Sequence, residues 1–396
     1  MRPSVLMIAY ACNPEGGGEH WLGWGWAEQA ARTCNVHLIT TPNARAPIEQ
    51  HAPRLGITPH FVAQPSGSRW GRKIAWQKRV ARHAAELHQR EKFQLVHQTT
   101  FHSFRVPFAA AELDVPAVWG PVAGGESVPA GFGRDLGWAR FGEFGRRLVN
   151  RLWLLHPAVQ RSLARARVLF VSNRTTLDFL PAAVRDKAVI VPPNALRVED
   201  EQFPEPQPRP ADDVFRLLYV GNCVATRALP LVFAALNHSG LSGVKLTVVG
   251  AGPSLANWRA QVRRLQLQSI VDFTGQVGRD RLPELYGQAH ALVFPALRDS
   301  GGSALLEAMA RGVPVICLDW AGPGEMVDAA SGVKIPVRDR EETVAALAAA
   351  IARLQALPEL RLTLARAART RALTHFRWQA KAELLHATYQ RLLAAA

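Results

Sequence analysis

The chain has 396 residues, more than one hydrophobic core usually fills, so two domains are expected. With 48% hydrophobic and 20% charged residues, its composition excludes the collagen-like, mucin-like and disordered classes. The formal charge of +15 is concentrated in one half: residues 1–196 hold 24 Lys and Arg against 13 Asp and Glu, the last 200 residues 23 against 19. A field of that kind points to an anionic partner, either nucleic acid or an acidic membrane surface. Four cysteines, at 12, 34, 223 and 317, are too scattered for zinc and too few for a disulfide scaffold, which fits a reducing cytoplasm.

The opening M-R-P-S-V-L-M-I-A-Y has an apolar run too short for a leader or a membrane span and reads as a first strand. Further short apolar runs follow at 36–41, 60–63, 95–100, 117–122, 168–173 and 189–193, separated by segments of helical period, as a parallel α/β sheet requires. Residues 1–197 are therefore expected to form a first Rossmann-like domain. The stretch 198–213, V-E-D-E-Q-F-P-E-P-Q-P-R-P-A-D-D, loses the apolar pattern and gains four prolines, as a linker does. The alternation resumes at 215–222, 246–250, 271–275, 291–296, 313–319 and 333–337, predicting a second domain over 214–376. A long helical stretch is expected at 339–374, and a last amphipathic helix at 377–396 is expected to pack back on the first domain.

In such sheets ligands bind at the carboxyl edge, where strands turn into helices. The glycine-rich turns are Gly16-Gly17-Gly18, Gly124-Gly125, Gly250-Ala251-Gly252 and Gly301-Gly302. The most informative segment is L-V-F-P-A-L-R-D-S-G-G-S-A-L-L-E-A-M-A-R-G-V-P-V-I-C, from 292 to 317. A strand ends near Ala296, a polar loop carries Asp299 and Ser300 to Gly302, and a helix starts near Ser303. Backbone N–H groups at that start make an anion cradle, with Gly301 and Gly302 adding no Cβ to hold a phosphate away. Glu307, about a turn into the helix, shares the crevice with Asp299. Carboxylates suit the hydroxyls of sugar and ribose, so the implied ligand is a nucleotide sugar. A capping box does not explain Glu307, because Leu306 stands three residues after Ser303. A helix-dipole role for the acid remains the plainer alternative.

An acid, seven residues, then Glu followed by A-M-A-R-G-V-P-V resembles the signature of the family-four retaining glycosyltransferases. Y-V-G-N…R-A-L (219–229), V-V-G-A-G-P (248–253), V-D-F-T-G-Q-V (271–277) and A-G-P-G-E-M-V (321–327) follow the same family order. A-C-N-P-E-G-G-G-E (11–19) and W-G-P-V-A-G-G-E (119–126) resemble a bacterial polysaccharide-building branch. The resemblance implies the GT-B fold, an α/β fold with two Rossmann-like domains facing across a cleft. It assigns Asp299 to the donor sugar, Glu307 to the ribose and Gly302 to phosphate, and matches Glu325 to an acidic position near the donor. Gly252, Ser300, Gly301 and Ser303 complete the expected donor contacts, and Gly16, Gly17 and Gly18 are expected to face the diphosphate.

Where the family has an Arg and a Lys clamping the diphosphate, this sequence has Asn222 and Arg227. One of two cations is replaced, which leaves three readings: weaker leaving-group stabilisation, a substitute cation from elsewhere, or an inactive relative. Asp299 itself stands where Glu is usual. The resemblance also implies retention and no bound metal, and no D-x-D motif or His cluster is present. No cofactor is expected beyond the nucleotide sugar. His97 and His102 are candidates to orient or deprotonate an acceptor hydroxyl, although lone histidines are more often structural.

Residues 69–92 carry eight Lys and Arg against two acids, with Trp70 and Trp76 interleaved. Residues 138–167 add Trp138, Trp153, Arg140, Arg146, Arg147, Arg151, His156 and Arg161 around a single acid, Glu143, between 140 and 161. Basic amphipathic helices of this kind suit docking on anionic lipid, against the plainer reading of a solvated positive face. The function expected is transfer of a sugar to a glycan or lipid-linked acceptor in bacterial surface polysaccharide synthesis, on the cytoplasmic face of the inner membrane. The alternatives are a nucleotide-sugar epimerase or phosphorylase of the same architecture, and a nucleic-acid-binding module. No zinc-finger, RRM or KH signature supports the last, and no nucleic-acid partner is expected.

Overall fold

The computed structural model describes residues 2–197, 199, 202–206, 214–238 and 241–395, so most of the linker expected at 198–213 lies outside the described residues. The side chain of Trp70 lies outside them too. The chain divides into two compact units: Met1–Gly125, Arg147–Pro193 and Trp378–Ala396 form the first, Glu126–Arg146 and Asn194–Arg377 the second.

The first unit holds a parallel sheet of β1 (Ser4–Ala9), β2 (Asn35–Thr40), β3 (Ile57–Phe61), β4 (Leu95–Thr100), β5 (Ala117–Val122), β6 (Val168–Val171) and β7 (Ala188–Ile190). Their order is β3-β2-β1-β4-β5-β6-β7. Alternation along β1 sends Val5, Met7 and Ala9 to one face and Leu6 and Ile8 to the other, and both faces are buried. That double burial explains why the central strands read as unbroken apolar runs. The helices are α1 (Glu19–Ala31), α2 (Arg45–Leu55), α3 (Arg69–Glu91), α4 (Ala139–Leu154), α5 (Pro157–Arg165) and α6 (Arg174–Phe179). Continuous helix α4 carries residues of both units.

The second unit has β8 (Phe215–Val220), β9 (Val244–Val249), β10 (Val271–Gly275), β11 (Ala291–Phe294), β12 (Val315–Leu318) and β13 (Gly332–Ile335), all parallel and ordered β10-β9-β8-β11-β12-β13. Its helices are α7 (Pro230–Asn237), α8 (Leu255–Arg264), α9 (Leu282–Gln288), α10 (Ser303–Ala310), α11 (Ala321–Met326), α12 (Arg340–Ala356) and α13 (Pro358–His375). The single helical stretch expected at 339–374 is two helices, because Pro358 supplies no backbone N–H to continue the first. Both sheets reverse direction beside their first strand, between β1 and β4 and between β8 and β11, and such switch points open crevices at the carboxyl edge.

Two segments cross the simple sequence division. Residues 126–146, counted with the first domain from sequence, cluster with the second unit. Val128, Phe132 and Leu136 are buried in the core that lines one face of the second sheet. Trp320 Nε1 donates to the Ser127 carbonyl at 2.9 Å, and Arg340 pairs with Asp135 at 2.8 Å. The last helix, α14 (Trp378–Ala394), belongs to the first unit. Its Leu385 and Tyr389 are buried against α1, where a Cβ on Gly25 would stand 2.0 Å from the Trp378 ring.

Candidate functional site

The turns after β8 and β9 lie against each other backbone to backbone. A Cβ on Gly250 would fall 1.9 Å from the Gly221 carbonyl oxygen, and one on Gly252 would fall 2.5 Å from that of Cys223. The φ angles of +140° and +155° at these positions also favour glycine. Asn222 is exposed at the end of β8, and its carbonyl accepts from Tyr219 Oη at 3.0 Å.

Arg227 follows on a short 3-10 turn, four-fifths buried, with its guanidinium 5.0 Å from the Phe294 ring centroid. Its Nη1 donates to Asp299 Oδ2, and the Gly301 N–H donates to Asp299 Oδ1 at 3.1 Å. Burial works against the Arg227 charge and pushes its pKa down. The Asp299 carboxylate is thus the counter-charge that makes a buried guanidinium tolerable. Sequence places Arg227 on the diphosphate and Asp299 on the sugar; the structure brings the two onto each other. The loop is locked further by α11, where the Gly322 N–H donates to the Asp299 carbonyl at 2.9 Å. A Cβ on Gly322 would lie 2.4 Å from the Ser300 carbonyl carbon. Glu325 is on the same short helix, half-buried, with its backbone carbonyl accepting from Arg371 at 3.3 Å.

The start of α10 needs a correction. Its Gly302 and Ser303 N–H groups, expected to cradle phosphate, face the Asn194 amide, and turning that amide so that its oxygen points at them makes hydrogen bonds of 2.8 and 3.2 Å. In that orientation Asn194, where the chain re-enters the second unit, caps the helix, and only the polar Asn after V-P-P hinted at that. Ser303 is exposed at the first helical position and Ser300 is half-buried in the loop. Glu307 is half-buried on α10, and Tyr286 Oη, fully buried on α9, donates to its Oε2 at 3.0 Å.

A second pair of charges was not visible in sequence. Arg298, next to Asp299, brings its Nε to 3.5 Å from Glu143 Oε2. Arg146 clasps the same carboxylate at 2.7 and 3.0 Å. Burial raises the Glu143 pKa, but the Arg146 hydrogen bonds and Arg298 outweigh it and hold the carboxyl below its ordinary value. Residues so distant in sequence share no periodic signal.

In the first unit, Gly17 and Gly18 are exposed and Gly16 is half-buried at the turn between β1 and α1. Glu19 Oε1 there accepts from the His102 N–H at 3.0 Å, so the glycine turn and the end of β4 meet. His97 is corrected: it is fully buried, with Nδ1 2.7 Å from Tyr389 Oη and Nε2 2.9 Å from the Gly120 carbonyl. Both ring nitrogens are engaged in the core, and none is left for an acceptor hydroxyl. Trp76 on α3 is also internal, donating to the Val62 carbonyl at 2.8 Å, so the basic residues of α3 border an inward-packed tryptophan.

Residues 200–371 match the family model described as Glycosyl transferases group 1. That match takes in less than half of the chain. The glycogen synthase of Mycobacterium tuberculosis is 31% identical to this chain over 201 residues, 50% of this chain and 47% of that one. The chain spans about half the length of the curated relatives it matches. Its fold is GT-B. Sucrose-phosphate synthase from Thermosynechococcus elongatus superposes with a TM-score of 0.69 at 19% identity, covering 100% of both chains. The Anabaena protein HepE, solved with UDP-glucose, superposes with a TM-score of 0.64 at 14% identity, covering 98% of this chain and 99% of that one.

Proposed function

We propose that this chain is a glycosyltransferase that moves a sugar, with retention and without a metal ion, from a nucleotide-diphosphate sugar to a glycan or lipid-linked acceptor in bacterial surface polysaccharide synthesis. The buried Arg227–Asp299 pair at the β8–β11 switch point carries the reading. A diphosphate brings more negative charge than one carboxylate and competes for the Arg227 fork, which releases Asp299 to accept from sugar hydroxyls. When the anomeric C–O bond breaks, its electron pair goes to the leaving phosphate oxygen. A guanidinium already desolvated there stabilises that developing charge more than the ground state. Glu307, oriented by Tyr286, is the proposed ribose acceptor. Glu325, Gly252, Ser300 and the Gly301–Ser303 turn line the donor, Gly16–Gly18 contact its diphosphate, and His102 serves the acceptor hydroxyl.

The reading is supported by the family match and by the UDP-glucose bound in HepE. Four unpaired, buried cysteines are compatible with a reducing compartment, and the reaction is proposed to occur at the cytoplasmic membrane face. The test is sugar transfer, assayed across UDP-, GDP-, ADP- and dTDP-sugars. Arg227→Ala is expected to lower kcat by about 10²–10³-fold, as removal of a charge-stabilising donor does. Glu307→Ala is expected to weaken donor binding with the fold unchanged. Full turnover in both variants sinks the assignment, and sugar-nucleotide turnover without any acceptor favours an epimerase or phosphorylase.

A further inference from the structure

Seven of the eight large apolar side chains exposed among the described residues lie on α4 and its two ends. Trp138, Phe141, Phe144, Leu148, Leu152 and Leu155 recur every three or four residues and so share one stripe. The exposure is nearly complete at Trp138 (87%), Phe144 (71%) and Leu155 (74%). Left facing water, such a stripe contributes nothing to folding, and an exposed apolar patch of this kind marks an interaction site.

The opposite face is tied down. Glu143 and Arg146 are held within the second unit, where Glu143 also accepts from the Val128 N–H at 3.3 Å. Further along, Asn150 donates to the Gly124 carbonyl at 2.6 Å within the first unit. The stripe is therefore presented outward by a helix that is anchored along its inner side. Arg140, Arg147 and Arg151 are exposed and, at intervals of seven and four residues, run along one edge of the stripe.

We propose that α4 lies in the interface of an anionic lipid bilayer, with its apolar stripe inserted and the Arg140–Arg147–Arg151 row on the head groups. Charge selects this occupant. An anionic surface complements the arginine row and the net +15, whereas a second copy of the chain brings a like-charged row to the same place. No single described helix is long and apolar enough to cross a membrane, so the mode is insertion parallel to the surface. This inference does not rest on the sugar-transfer reading, and its test needs no sugar nucleotide.

The experiment is cosedimentation of the full chain with phosphatidylcholine vesicles, with and without phosphatidylglycerol. Binding is expected to the anionic vesicles and to weaken as salt is raised. The double variant Phe144→Glu/Leu148→Glu, at exposed positions outside the core, is expected to lower the partition coefficient at least tenfold. The double variant Lys78→Gln/Arg82→Gln on α3 lowers the net charge by the same amount and is expected to bind within about threefold of the unaltered chain. Absence of vesicle binding overturns the proposal, as does binding that survives Phe144→Glu/Leu148→Glu or disappears only with the α3 changes. Sedimentation velocity without vesicles supplies one more contrary outcome: a dimer that Phe144→Glu/Leu148→Glu dissociates assigns the stripe to a second copy.

Discussion

Gly120 offers His97 only a carbonyl oxygen, so Nε2 carries the ring proton and Nδ1 accepts from the Tyr389 hydroxyl. That arrangement uses the neutral ring, and burial pushes the His97 pKa down to about 4. The unfolded chain takes up the proton near pH 6.5, whereas the folded chain resists until about pH 4. Stability is therefore lost as pH falls through that window, by on the order of 3 kcal/mol from this group. His97→Gln removes the titration and is expected to flatten the decline between pH 6.5 and 4, read from denaturant midpoints; an unchanged slope counts against the buried neutral ring. The sequence placed His97 within a strand-like run but not which neighbours close around it. Tyr389 comes from the far end of the chain, so nothing near His97 in sequence distinguishes a core imidazole from a catalytic one. Arg227 and Asp299 were legible as residue types through their spacing from glycines, yet their mutual pairing was not.

At the scale of elements, the strands were legible because parallel strands buried on both faces leave unbroken apolar runs. The donor loop was legible because a strand, a glycine pair and a helix occur in sequence order. What locks that loop was not: Gly322 approaches Ser300 across a gap that admits no side chain. Gly322→Ala forces a backbone shift, expected to cost about 1–3 kcal/mol in stability, the usual range for overpacking. Donor affinity is expected to fall with it, because Asp299 and Gly301 move together. Urea unfolding and calorimetric titration of a nucleotide check both parts; unaltered donor affinity in a destabilised variant separates the loop from the site. Helix α4 shows the converse. Its amphipathic period was visible in sequence, but periodicity does not say which face points inward, and the structure turns the apolar one out. On α3 the same composition hides Trp76 inside.

At the scale of the whole chain, each unit is completed by a segment that sequence order assigns elsewhere. α14 closes the first unit through Leu385, Tyr389 and Trp378, with Lys381 donating to the Pro192 carbonyl. A chain ended at Arg377 exposes that surface and is expected to lose hydrogen-exchange protection throughout the first sheet while the second sheet keeps its own. Equal loss in both sheets, or in neither, contradicts the division. Sequence alone determined the α/β class, two sheets, a glycosyltransferase-like signature and the glycine-rich turns, because alternation, glycine placement and motif spacing are local properties of the chain. Only tertiary structure decided that residues 126–146 fill the second core, that Asn194 meets the start of α10, that Arg298 meets Glu143, and that Arg227 and Asp299 bind each other. Each of those is a contact between segments far apart in sequence, and its energy depends on burial and distance that no local pattern encodes.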